Sequence, residues 1–239
     1  MRKYWFLVVF LTLFQIINLN AADDNTAGTI ARIILIKPKR GLEKDFEAGY
    51  KRHLEWRRGK NDSWRWHGFV FAQGARAGSF LFGTFQHDWT DFDQALAANE
   101  DASDFTVNVV PYADTFTISQ ISRIRDLSSP EEVPGQAYLI ELVTYELRPG
   151  AERTFESMIG SSVSGWKQRH PNIPFAWYKS INGGIQPYYF FMRTLNRWSD
   201  LRESEPFFTT ESRDTSFKDV IKEIQSDVLR FRSDLSLFQ

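Results

Sequence analysis

The sequence predicts an α+β protein built from one βαββαβ module used twice. Its two antiparallel sheets are expected to pack face to face about an approximate twofold axis, as a barrel. Two observations predict it. The chain repeats itself: at one gap-free offset, residues 30–95 align with 139–204. Gly41 then meets Gly150, Glu43 meets Glu152, Phe46-Glu47 meets Phe155-Glu156, Gly74 meets Gly183, and Trp89 and Asp91 meet Trp198 and Asp200. A repeat must be found before any element is assigned, because it sets the architecture. The alternation of apolar strand runs with amphipathic helix runs then gives the same element order in both copies.

The elements follow in order. Residues 30–37 and 138–147 are rich in Ile, Leu and Val, as strands buried on both faces are. Lys39-Arg40-Gly41 and Arg148-Pro149-Gly150 are tight turns that lead into helices. Leu42, Phe46, Tyr50 and Leu54 form one apolar stripe, as do Ala151, Phe155, Ile159 and Val163. Glu43 and Glu152 lie in the first helical turn, where negative charge suits the dipole. Strands over 64–73 and 79–86 are joined by a glycine-bearing hairpin at 74–78, and 174–181 and 188–195 are joined at Asn182-Gly183-Gly184. Second helices open at Trp89-Thr90-Asp91 and Trp198-Ser199-Asp200, and closing strands are expected at 115–125 and 228–235.

Each module is thus a ferredoxin-like split βαβ unit with both helices on one sheet face. The bare face, at roughly 800 Å², would forfeit on the order of 20 kcal/mol if left in water. The second copy is its natural cover, giving a monomer with an internal pseudo-dimer. The boundaries are 29–127 for the first repeat and 136–239 for the second. Residues 128–135, with Pro130, Pro134 and three acidic or glycine positions, are expected to be a solvated linker.

Residues 1–22 read as an export signal: Arg2 and Lys3, an apolar run from Trp5 to Ile17, then Asn20-Ala21-Ala22. The run is shorter than the roughly 20 residues that span a bilayer. A soluble periplasmic or secreted product, with no membrane partner after cleavage, is the expectation. There is no cysteine, so disulfides and thiol catalysis are excluded, and stability must come from core. The chain has the material, with 21 Phe, 8 Trp and 8 Tyr in 239 residues. Lys and Arg number 29 against 30 acidic residues, interleaved, which argues against a nucleic-acid partner.

These residues resemble the dimeric α+β barrel superfamily, which includes antibiotic-biosynthesis-type monooxygenases and NIPSNAP-like proteins. The resemblance rests on Trp89-Thr90-Asp91-Phe92 and Trp198-Ser199-Asp200-Leu201, and on Ser103-Asp104-Phe105 before the last strand, echoed by Ser216-Phe217. It implies a single-chain barrel in which two fused repeats do what two subunits do elsewhere. It also implies functions from cofactor-free oxygenation and haem breakdown to isomerisation. Haem-degrading relatives use a histidine with a nearby Asn and Trp, and no such trio maps onto this chain.

Chemistry is sparse. The histidines His53, His67, His87 and His170 show no metal-ligand spacing, so no metal and no cofactor are expected. His53 reads as a hydrogen-bonded packing residue on the first helix. No serine sits in a nucleophile elbow. Trp64-Arg65-Trp66-His67 should alternate faces, Trp66 to one side and His67 to the other. Arg32 and Glu141 stand at equivalent positions in apolar strands. Buried charges need partners. Either the two meet, or hold a polar ligand, between the sheets, or both reach solvent at strand starts. Phe175 and Trp177 are candidates for an aromatic wall in the same space. The expected function is binding of a small apolar or aromatic molecule between the sheets without catalysis, through Arg32, Trp66, His67, Glu141, Phe175 and Trp177. The alternatives are a cofactor-independent monooxygenase or isomerase, and a structural or protein-interaction module.

Overall fold

The computed structural model describes residues 28–135, 137–184, 186–203 and 215–238. The expected export signal lies outside them. Eight antiparallel strands are β1 (Ile30–Pro38), β2 (His67–Gln73), β3 (Phe80–His87), β4 (Ala113–Arg123), β5 (Leu139–Leu147), β6 (Phe175–Asn182), β7 (Tyr188–Leu195) and β8 (Ile221–Phe231). Among the described residues five α-helices accompany them: α1 (Glu43–Gly59), α2 (Trp89–Asp93), α3 (Ala98–Asn108), α4 (Glu152–Arg169) and α5 (Thr215–Val220).

The strands close into one barrel in the order β1-β3-β2-β8-β5-β7-β6-β4. The barrel is as expected, but it is one closed sheet rather than two separate sheets lying face to face. β2 pairs with β8 from Phe69–Phe231 to Phe71–Leu229, and β4 pairs with β6 from Ile121–Ser180 to Arg123–Tyr178. Closure satisfies edge N–H and C=O groups that an open sheet would expose.

Alternation along each strand divides the core into three layers. Ala31, Ile33, Phe69, Phe71, Leu81, Ile121, Leu142, Ala176 and Met192 fill the barrel interior. Ile34, Ile36, Phe80 and Phe82 face outward and pack under Phe46, Tyr50 and Leu54 of α1. Tyr145, Leu147, Phe175, Trp177 and Phe191 do the same under Phe155, Ile159, Val163 and Trp166 of α4. Gly41 and Gly150 enter α1 and α4 at φ +84° and +83°, a left-handed turn that glycine adopts without steric cost.

Two boundaries differ from the sequence reading. The strand expected from residue 64 starts at His67; Trp66 makes only an isolated bridge to Leu237. The closing strand expected over 228–235 is β8, Ile221–Phe231. Its first half, with Lys222, Glu223, Gln225, Ser226 and Asp227, carries too little apolar character to read as a strand. Residues 233–235 instead form a 3₁₀ turn, as do 125–127 after β4.

The segment 128–135 is not a solvated linker. Ser128, Ser129 and Val133 are buried, and the Ser129 backbone N–H donates to the Phe175 carbonyl at 3.0 Å. The Trp177 N–H donates to Ser128 Oγ at 3.0 Å, and Tyr178 OH donates to the Val133 carbonyl at 2.6 Å. The unpaired edge of β6 recruits this stretch. Residues 232–238 do the corresponding thing on β2: Gly68 N–H donates to Ser236 Oγ, and Leu235 and Leu237 complete the core under α1.

Candidate functional site

The outward face of β1 and the helices above it enclose a cavity of about 430 Å³. β1 supplies Arg32 and Ile34, α1 supplies Tyr50, His53 and Arg57, and α3 supplies Asp101 and Phe105. The stretch between α1 and β2 adds Asp62, Trp64 and Trp66. The walls are therefore aromatic and aliphatic, and His53, Arg57, Asp62 and Asp101 link into one polar end.

Arg57 organises that end. It is buried, and Nη1 donates to Asp62 Oδ2 at 2.7 Å while Nη2 donates to Asp101 Oδ2 at 2.7 Å. Its guanidinium also lies 4.2 Å from the Trp66 ring centre. Asp62 is held further by Trp66 Nε1 at 3.1 Å and by the Trp64 backbone N–H at 3.1 Å. Arg57 Nε donates to His53 Nε2 at 3.2 Å, so His53 carries its proton on Nδ1 and donates to Asp104 Oδ1 at 2.7 Å. Burial first, and then the Arg57 charge, push the His53 imidazole below its usual value, which keeps it neutral.

Arg32 is different. Its guanidinium lies 4.7 Å from the Phe92 ring centre and 6.0 Å from that of Trp64, and its Nε is shielded from solvent without a hydrogen-bond partner. Burial, followed by repulsion from Arg57, pushes its pKa down.

The six residues expected at a site between the sheets are not brought together. Arg32 and Trp66 line the cavity under α1, on the outside of the barrel. Glu141 lies on the outward face of the opposite wall, where Arg193 Nε donates to its carboxylate. Arg32 and Glu141 do not meet, because even-numbered residues of β1 and odd-numbered residues of β5 point to opposite helix layers. Phe175 and Trp177 pack under α4 with Trp166 and Phe155; the inward residues of β6 are Ala176 and Tyr178. His67 faces inward, on the side opposite Trp66, which packs under α1. It is buried edge-on against Phe85 and Phe238, with Nδ1 2.9 Å from the Gly135 carbonyl.

The interior has a cavity of its own, about 340 Å³ at one mouth of the barrel. Ile33, Leu35, Leu142 and Met192 line it, with Arg76 and Glu146 at the rim. Arg76 is spent on Asp227, at 3.0 and 2.7 Å, and on Thr144 at 3.0 Å. None of the six expected residues is there.

The sequence reading missed Arg57, Asp62, Asp101 and Tyr50. Arg57 lies four residues after His53 on the buried stripe of α1, and that spacing was the available signal.

Haem, which some members of the resembled superfamily bind, does not fit the donor set beside the cavity under α1. Both ring nitrogens of His53 are engaged, and Thr84 and Asp91 hold those of His87. The layer under α4 is filled by aromatic side chains. Among the described residues no group of His, Asp and Glu could hold a metal ion, and no helix is long and apolar enough to cross a membrane.

No protein-family model and no curated protein matches this chain. Solved structures do. An anthrone oxidase-like protein superposes with a TM-score of 0.59 at 12% identity, over 86% of this chain and 92% of the other. A candidate monooxygenase from Lactobacillus acidophilus NCFM gives 0.56 at 12% identity, over 89% and 97%. A mutant chlorite dismutase from Candidatus Nitrospira defluvii gives 0.55 at 7% identity, over 87% and 93%. The fold is that of the dimeric α+β barrels. The expectation of a barrel that binds without catalysis is overturned by these likenesses, since the proteins it resembles in fold are named for enzymes.

Proposed function

We propose that the protein is a cofactor-independent oxygenase whose aromatic substrate lies in the cavity between β1 and helices α1 and α3. The observation that carries this reading is the cavity itself: about 430 Å³, walled by Tyr50, Trp64, Trp66 and Phe105, with a carboxylate on its lining. Apolar walls exclude water and accept both a ring system and dioxygen. Asp101, steadied by Arg57, is the proton acceptor.

The chemistry balances without a further reactant. Asp101 takes a proton from a substrate methylene acidified by a carbonyl and flanking rings. The carbanion gives one electron to O₂, and the two radicals combine to a peroxide. The proton returns from Asp101, and the hydroperoxide loses water to leave a ketone. Overall, CH₂ and O₂ become C=O and H₂O.

We read the barrel as two fused ferredoxin-like copies, 29–127 and 136–239, acting as one monomer. The offset identities and the reciprocal edge covering by 128–135 and 232–238 support this. The first 22 residues are read as an export signal. On this view only the first copy keeps an open site, because aromatic side chains fill the layer under α4.

Oxygen uptake with anthrone as the probe tests the activity. Asp101→Asn is expected to lower kcat by about 10²- to 10⁴-fold in a protein that still folds, with Asp62 left as the partner of Arg57. Equal turnover by the variant, or no uptake by the parent protein, would overturn the reading.

A further inference from the structure

Within the cavity under α1, every charged group but one is committed. Arg57 is shared between Asp62 and Asp101, and His53 lies between Arg57 and Asp104. Arg32 alone has no carboxylate within ion-pair distance among the described residues; its contacts are the faces of Phe92 and Trp64. A half-buried guanidinium with a shielded, unpartnered Nε is an unfavourable thing to leave open.

The opposite wall shows the same arrangement closed. Across β1–β3 the register pairs Arg32 with Thr84; across β5–β7 it pairs Glu141 with Arg193. In both walls one arginine stands on the outward face of this strand pair. Where no cavity opens, under α4, the chain supplies Glu141 as the counter-ion. Where a cavity opens, it supplies none, and the space beside the guanidinium is walled by aromatic rings. An arginine fork matches a carboxylate in two parallel hydrogen bonds, and the rings match a flat apolar body.

We propose that the substrate of this cavity is an aromatic acid, and that Arg32 is the specificity-determining residue that binds its carboxylate. This rests on the cavity being the substrate site, but not on the oxygenation chemistry. The ionised group is a handle distinct from the reacting methylene: Arg32 takes the carboxylate and Asp101 the proton.

Binding, not turnover, tests it. The quenching of tryptophan fluorescence and titration calorimetry are followed with 9-anthracenecarboxylate and with the neutral 9-anthracenemethanol. The carboxylate is expected to bind the parent protein at least tenfold more tightly, and more weakly as NaCl rises. In Arg32→Gln the preference should fall to within twofold. Arg32→Lys, which keeps the charge and loses the fork, should fall between the two. It also serves as the second variant if Arg32→Gln melts early. Equal affinity for the two probes, saturable binding of neither, or a preference that survives Arg32→Gln would overturn the proposal. Selection of the carboxylate without oxygen uptake would sink the catalytic reading and leave this one standing.

Discussion

Glu141 and Arg193 carry the sharpest electrostatic consequence of the fold. Arg193 is fully buried, and its Nη1 and Nη2 have no hydrogen-bond partner, so Glu141 is its counter-charge. Glu141→Ala is therefore expected to cost about 3–5 kcal/mol, read as a lowered denaturant midpoint, because it strands a charge in the core. The partner was not legible in the sequence. A charge in an apolar strand announces that it needs an opposite charge, but Arg193 comes from β7, 52 positions away. Arg32 was legible for the same reason, as the wrong kind of residue in an apolar run. Asp101 and Asp104 were not, because acidic residues on a polar helix carry no mark that separates a cavity lining from a solvated face. The histidines make a second prediction. Burial is the leading cause that pushes His53, His67 and His87 below the usual imidazole value, so all three fold neutral. The unfolded chain takes up these protons near pH 6.5 and the folded chain resists them. Their contribution is thus complete above about pH 6.5 and is lost as pH falls toward the depressed folded values. The melting temperature is expected to drop between about pH 7.5 and about pH 5.5, and His53→Gln should narrow that drop.

At the scale of elements, the cavity depends on how closely α3 sits on α1. A Cβ at Gly49 would lie 2.0 Å from the Asn108 carbonyl oxygen, so only glycine permits the present contact. Gly49→Ala should push the end of α3 outward at about 1–3 kcal/mol, and it should weaken binding of 9-anthracenecarboxylate by moving Asp101 and Phe105. A lowered melting temperature with unchanged affinity would show that the cavity tolerates the shift. Helix and strand identities were readable because 3.6- and 2-residue periods differ. Which strand face points inward was not. Barrel strands here are covered by apolar neighbours on both sides, so Phe175 and Trp177 look the same in sequence whether they face the interior or α4.

For the whole molecule, the repeated glycines, helix entries and hairpins made the eight strands legible. The barrel was legible too, but the joining of its two sheets edge to edge was not, since it depends on edges meeting through strand twist. Nor was the trade of tails. Residues 128–135 finish the edge of β6, and residues 235–238 finish the layer beneath α1, with Gly68 and Ser236 joined across 168 positions. As the ribosome delivers this polypeptide from its N-terminal side, the earlier half has every strand but lacks Leu235 and Leu237 to seal its hydrophobic roof. It must wait, partly open, for a stretch translated more than a hundred codons later. Maturation of the N-terminal half is therefore tied to completion of the C-terminal one, and stalled or shortened translation products should fall to chaperones and proteases as a single class.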